Sequence, residues 1–271
     1  MLVSAAIMPH PPIIVPEVGG SQTKKVKKTI SACQKIGQFF GKEDPDSIIV
    51  ITPHGLVWPD RINICAMKNL FGSLEAFGAG EVHFSAQNDL SLVKKIIQKS
   101  EEEEISVLPY HSGTEFYELD HGVVVPLYFI LPETGMVKIV PITYSLQDRE
   151  TLFRFGQIVG EIIKSSKKRI SIIASGDLSH RLTPFAPAGF SKEGKVFDQK
   201  IIKLLAQHQV EKILGLKESL VEKAGECGFR SILILLGALS LFKVKPKVLS
   251  YEGPFGVGYG VIQYKIEGVL D

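Results

Sequence analysis

Leu2-Val3-Ser4-Ala5-Ala6-Ile7-Met8-Pro9-His10-Pro11-Pro12 is an apolar run that stops at a histidine set between prolines. Proline fixes φ and biases the residue before it toward extended backbone, so His10 is held at a strand end with little freedom to retreat into regular structure. The pattern returns at Ser47-Ile48-Ile49-Val50-Ile51, which runs into Thr52-Pro53-His54-Gly55. Two strands thus end in Pro-His. As parallel neighbours in one sheet, they place their carboxyl ends on a common edge, where open α/β sheets hold their sites. Two imidazoles so placed are a metal site in want of a third ligand.

Outward from these two stretches the chain alternates apolar and amphipathic segments, as in βαβ units. The patterning predicts strands over 2–7, 47–51, 61–67, 137–141, 170–174, 247–250 and 258–264. It predicts helices over 21–40, 89–99, 121–131, 149–165, 195–206 and 226–242. There is no internal repeat and no low-complexity linker. At 271 residues, 45% hydrophobic and 22% charged, the chain suits one α/β domain, residues 1–271, with a deep core.

A net charge of +2 gives no broad field for nucleic acid, and the lysine runs 24–28 and 167–169 read as solvated helix faces. Cys33, Cys65 and Cys227 are odd in number and widely spaced, which argues against a disulfide framework and for a reducing cytoplasm. No export signal is expected, and no apolar run approaches the roughly 20 residues of a membrane span.

Four more segments carry chemistry-bearing residues at junctions. Asp120-His121-Gly122 opens an apolar helix, and Ser175-Gly176-Asp177-Leu178-Ser179-His180 follows the 170–174 strand. Both are places where loops hold catalytic groups. Gly225-Glu226-Cys227-Gly228 stands at the start of another apolar helix, where a carboxylate also serves as a cap. Finally, Ser250 to Gly260 is rich enough in glycine to approach something closely. Of seven histidines, His10, His54, His121 and His180 share this junction context; His83, His111 and His208 read as structural. Two histidines with one carboxylate suit a non-haem ferrous site with open positions, whereas structural zinc would want a cysteine cluster that is absent here.

The motifs around His10, His54, His121 (with Val125-Pro126-Leu127) and His180 resemble, in order and over nearly the whole chain, the class III extradiol ring-cleavage dioxygenases, the LigB-like superfamily. Gly225-Glu226-Cys227-Gly228 and the loop Ser250-Tyr251-Glu252-Gly253-Pro254-Phe255-Gly256-Val257-Gly258 resemble the AmmeMemoRadiSam, Memo-like branch. The resemblance implies a three-layer α/β/α fold with a central, mostly parallel sheet of the phosphorylase/hydrolase-like kind. It implies Fe(II) on His10, His54 and Glu226, with His121 and His180 as acid/base residues and a catechol-like substrate meeting O2. It also implies partner proteins of the AMMECR1 and radical SAM types, and is compatible with a homo-oligomer. Cys227 is the alternative third ligand; in Memo a cysteine stands at the carboxylate position, and a His/His/Cys set favours Zn or Cu. Glu226 is preferred, because it completes a ferrous triad. The other reading is a Memo-like metal- or peptide-binding domain without ring cleavage; a zinc hydrolase on the same histidines ranks third. Asp177, Tyr251 and Phe255 are expected to line the substrate pocket, the two aromatics stacking on a flat ring.

Overall fold

The computed structural model describes residues 1–111 and 113–270. Its centre is four parallel strands: β1 (Leu2–Met8), β2 (Ser47–Thr52), β8 (Lys138–Thr143) and β9 (Ile170–Ser175). They lie side by side in the order β1-β9-β2-β8, and all are buried along their length except at Lys138, where β8 begins. Successive residues point to opposite faces, and both faces are apolar, which is why these strands read as continuous hydrophobic runs rather than as an alternation. Ala5, Ile7, Ile49 and Ile51 join one apolar cluster; Ala6, Met8, Ile48 and Val50 join the other.

The first cluster is closed by α3 (Leu90–Glu102), α5 (Arg149–Ser165), α6 (Lys192–Ala206), α7 (Val210–Leu214) and α9 (Phe229–Leu239). The second is closed by α2 (Lys27–Glu43) and α4 (His121–Thr134). Two short helices, α1 (Pro16–Gly19) and α8 (Glu218–Ala224), fill connections. The result is a mixed α/β architecture with a large, mostly parallel central sheet. No helix among the described residues is long and apolar enough to cross a membrane.

The sheet extends on both sides beyond the parallel core. β11 (Tyr259–Val269) runs antiparallel to β1 and pairs with the edge strand β10 (Phe242–Glu252). Only 247–250 was expected as strand here, because Lys243, Lys245, Lys247 and Pro246 dilute the apolar signal. Lysines and a proline are also what keeps an exposed edge from recruiting another chain. At the far side, β3 (Ile62–Cys65) lies antiparallel to β8 and is followed in order by β6 (Val107–Tyr110).

A second sheet, β5-β4-β7, was not expected: β4 (Asn69–Leu74), β5 (Ala79–Gln87) and β7 (Phe116–Leu119). In β4 the inward positions are Leu70, Gly72 and Leu74 while Phe71 points outward, so glycine sits inside and phenylalanine outside. That inverts the alternation by which a half-buried strand is recognised. The predicted 21–40 helix begins later, as α2 after a 3-10 stretch over Gly20–Lys25, and the predicted 226–242 helix shortens to α9, leaving Gly225 to Gly228 as a loop.

At the amino edge of the sheet, Asp89 caps α3 through Leu92 N–H and accepts from Ser47 Oγ and Lys168 Nζ, both at 2.6 Å. Burial pushes this carboxyl up, but the hydrogen bonds from Lys168, Ser47 and Ser91 outweigh it and hold the pKa well below the usual carboxylate range. Asp89→Ala is expected to cost about 3 kcal/mol, as breaking a buried pair does. Because the folded-state pKa lies below the unfolded value, the contribution is fully present at neutral pH. It drains away as pH falls below about 4, where the unfolded carboxyl begins to take up protons. Urea denaturation at pH 7 and pH 3 should show the gap between wild type and variant closing.

Candidate metal centre

His10 and His54 each stand two residues beyond the carboxyl end of their strand, β1 and β2, with β9 between them. The register sets Met8 beside Ser175, so the chain leaves β9 through Gly176 at the edge that carries both rings. Their Nε2 atoms are 3.0 Å apart and the rings meet edge to face, 4.7 Å between centroids. His10 is buried, while His54 opens to solvent.

The tautomer of His10 follows from its neighbour. Ser175 Oγ gives its one proton to the Gly122 carbonyl, so at 2.8 Å it accepts from His10 Nδ1–H. The His10 Nε2 lone pair is then directed at the site, with its backbone N–H fixed to Asp177 Oδ1 at 3.1 Å. A second hydrogen bond of this kind orients most metal-binding imidazoles. Burial, followed by the neighbouring His54, His121 and His180, pushes the His10 pKa well down; burial and the charges of His121 and His180 bring His54 to about 4. Both rings are neutral donors at pH 7.

The third donor is Cys227. Its Sγ lies 3.6 Å from His10 Nε2, and the donor atoms of His10, His54 and Cys227 all fall within 4.8 Å of one another. Among the described residues this is the one group of three ligating side chains that converges. Separations of 3.0 and 3.6 Å are those of adjacent donors about an ion with bonds of about 2.1 Å to nitrogen and about 2.3 Å to sulfur, so the residues fit a metal.

The expected ligand Glu226 is not in the group. Its carboxylate accepts from the N–H of Phe229, the first residue of α9, at 2.5 Å, and faces a separate cleft with Arg149 and Arg230. Burial raises its pKa to about 7, against the lowering effect of that N–H. The capping role visible in the sequence is thus the one the carboxylate plays. Beside the thiol two glycines, Gly176 and Gly228, are in backbone contact: a Cβ on Gly176 would overlap the Gly228 backbone, and one on Gly228 would lie 3.0 Å from that of Gly176. There the 176–180 and 225–228 segments come together, with Gly228 N–H on the Asp177 carbonyl and Asp177 N–H 3.3 Å from Cys227 Sγ.

The remaining two histidines flank the trio. His121, first residue of α4, stacks on His54 at 4.2 Å and meets Phe77 edge to face at 5.2 Å. His180 donates Nδ1–H to the Gly225 carbonyl at 2.9 Å, which leaves its Nε2 an acceptor, 3.9 Å from Asp177 Oδ2. Burial lowers both pKa values. Asp177 is buried, and burial lifts its carboxyl to about 7.

The Ser250–Gly260 loop does reach this edge, with Gly258 N–H on the Ser179 carbonyl and Leu182 N–H on the Gly256 carbonyl. Its aromatics do other work than expected. Tyr251 donates to the buried Asp198 at 2.7 Å, and Phe255 lies under the Lys25 ammonium at 5.7 Å. The aromatic wall comes instead from β4 and β7 of the unexpected second sheet, with Tyr110 from β6. A cleft of about 800 Å³ beside His54 is lined by Leu56, Phe71, Tyr110, Phe116 and Tyr117, among others. No sequence signal singled these out, because each reads as an ordinary core or surface aromatic. His83, His111 and His208 lie outside the group formed by His10, His54 and Cys227.

A family model described as the catalytic LigB subunit of aromatic ring-opening dioxygenase matches residues 4–262. The chain belongs to the LigB family. Protein CA_C1420 of Clostridium acetobutylicum is 38% identical over 262 residues, 95% of this chain and 56% of that protein. A MEMO1 family protein of Methanococcus vannielii is 30% identical over 138 residues, 49% of this chain and 45% of its own. The chain thus spans about half the length of these curated relatives. The 2-aminophenol 1,6-dioxygenase alpha subunit of Pseudomonas sp is 23% identical over 98% of this chain and 99% of that one. Among solved structures, uncharacterized protein JW3007 of Escherichia coli K12 shares the fold, with a TM-score of 0.65 at 16% identity over 96% of this chain and 99% of that one. Relatives of both Memo and dioxygenase kinds place this LigB chain in the Memo-like superfamily.

If the Ser175 bond orients His10, Ser175→Ala should weaken metal binding about 10–100-fold with the fold intact. Competition against a chromophoric chelator measures this, and unchanged affinity would remove Ser175 from the site.

Proposed function

We propose that this LigB-family chain is a Memo-like metal-dependent domain that holds one ion through His10, His54 and Cys227 and presents it to a planar aromatic ligand in the cleft beside His54. The convergence of Cys227 Sγ with the two Nε2 atoms carries this reading. A thiolate in the set favours zinc or copper over the Fe(II) that Glu226 would have suited. When bound, the ion supplies Lewis acidity toward a ligand hydroxyl and, if redox-active, an electron path to dioxygen.

The chain's own residues then handle protons and water. His180 offers a lone pair at Nε2, because its Nδ1–H is committed to Gly225 O, and so takes a proton from an arriving hydroxyl or amine. His121, at a helix amino terminus that disfavours its charged form, is the second neutral acceptor. Asp177 fixes His10 and stands by His180, where it stabilises the imidazolium formed by proton uptake. Leu56, Phe71 and Phe116 keep the cleft apolar around a flat ring.

A second reading, ring opening of an aromatic diol or aminophenol with O2, is favoured by the end-to-end match to a 2-aminophenol 1,6-dioxygenase subunit. Metal analysis of variants tests the first reading. Cys227→Ser should drop from about one bound ion to almost none at micromolar free metal, and Glu226→Ala should keep its ion. The opposite pattern would restore the ferrous His/His/Glu centre. Oxygen uptake by reconstituted protein with catechol and 2-aminophenol decides the second reading.

A further inference from the structure

The cleft beside His54 has a charge character that the metal centre does not explain. Its polar lining includes Glu115, Glu118 and Asp120, and among the described residues no lysine or arginine lines it. Asp120 is spoken for: it accepts from Thr52 Oγ1 at 2.6 Å, and burial raises its pKa. Glu115 and Glu118 are exposed, and among the described residues neither forms an ion pair. At about 800 Å³ the cleft is also far larger than a single substituted ring.

Resting on the reading of this cleft as the ligand site, we infer that it selects aromatic ligands whose tail carries a cationic amine and rejects those whose tail carries a carboxylate. The ring lies against Phe71 and Phe116 with its vicinal polar groups toward His54, and the tail extends along β7 toward Glu118 and Glu115. Tyr110, Tyr117 and Phe116 add ring faces that attract an ammonium. A carboxylate tail in the same position finds two like charges and no cation to receive it.

The test uses three probes of similar ring chemistry: dopamine, 3,4-dihydroxyphenylacetate and the neutral 4-methylcatechol. Binding to the metal-loaded protein is followed by titration calorimetry and by the fluorescence of Trp58, the one tryptophan, which sits on the loop after His54. At low ionic strength dopamine should bind about ten-fold more tightly than the acid, as expected for two solvent-exposed charges acting on opposite signs. The preference should shrink in high salt. Glu115→Gln with Glu118→Gln should bring the ratio close to one, leaving 4-methylcatechol affinity unchanged. Tight 4-methylcatechol binding with equal affinity for the two charged probes, or with the acid preferred, overturns the charge selection and leaves the ligand site standing. Failure of all three probes to bind overturns both.

Discussion

Alanine at His10 or His54 is expected to weaken metal binding by about a thousandfold, since each supplies one of three donors to a site of the strength typical for such ions. Loss at His10 should be the more complete. Its lone pair is fixed by Ser175 and its backbone by Asp177, whereas His54 is exposed and held mainly by its stack on His121. Alanine at His121 or His180 should have the opposite signature. Neither belongs to the converging donor group, so the ion stays, while proton transfer falls by about two to four orders of magnitude. Equilibrium dialysis with zinc and copper reports the first effect. Deprotonation of 4-nitrocatechol on the loaded protein, read from its spectrum, reports the second and needs no turnover. Metal loss in the His180 or His121 variant would make that residue a ligand.

How far the sequence discloses this site depends on what kind of interaction places each residue. His10 and His54 are legible because prolines fix the backbone locally, and parallel strands of one sheet carry their ends to one edge. The strands 2–7, 47–51 and 170–174 are legible for a related reason, being buried on both faces. Glu226 and Cys227 could not be told apart in this way. They are adjacent, both suit a metal, and the loop that carries them packs through Gly228 on Gly176, some fifty positions away in sequence. The cleft wall was hidden for the same reason. Phe71, Tyr110 and Phe116 come from three strands of the flanking elements, and β4 carries its glycine inward and its phenylalanine outward. The Ser250–Gly260 loop does make a close approach, and its partners in the structure are the 178–186 segment and Asp198.

That glycine pair gives the prediction that binds fold to function most directly. At Gly176 any side chain meets the backbone of Gly228, with the Gly228 nitrogen 3.0 Å and its carbonyl carbon 3.2 Å from a Cβ. Backbone cannot swing aside as a flexible side chain would, so Gly176→Val must separate the two segments. The cost should be about 3 kcal/mol or more, the upper range for overpacking a rigid site. Separation also withdraws Cys227 from His10, so metal affinity should fall with stability, and added metal should no longer raise the melting temperature as it does for wild type. Gly80→Ala serves as the control: there a Cβ finds only the Glu75 side chain, at an ordinary 3.7 Å, and neither stability nor metal affinity should change. Urea denaturation with and without zinc distinguishes the outcomes. A Gly176→Val protein that folds normally and binds metal as tightly as wild type would show that the contact of these two glycines does not position the thiol.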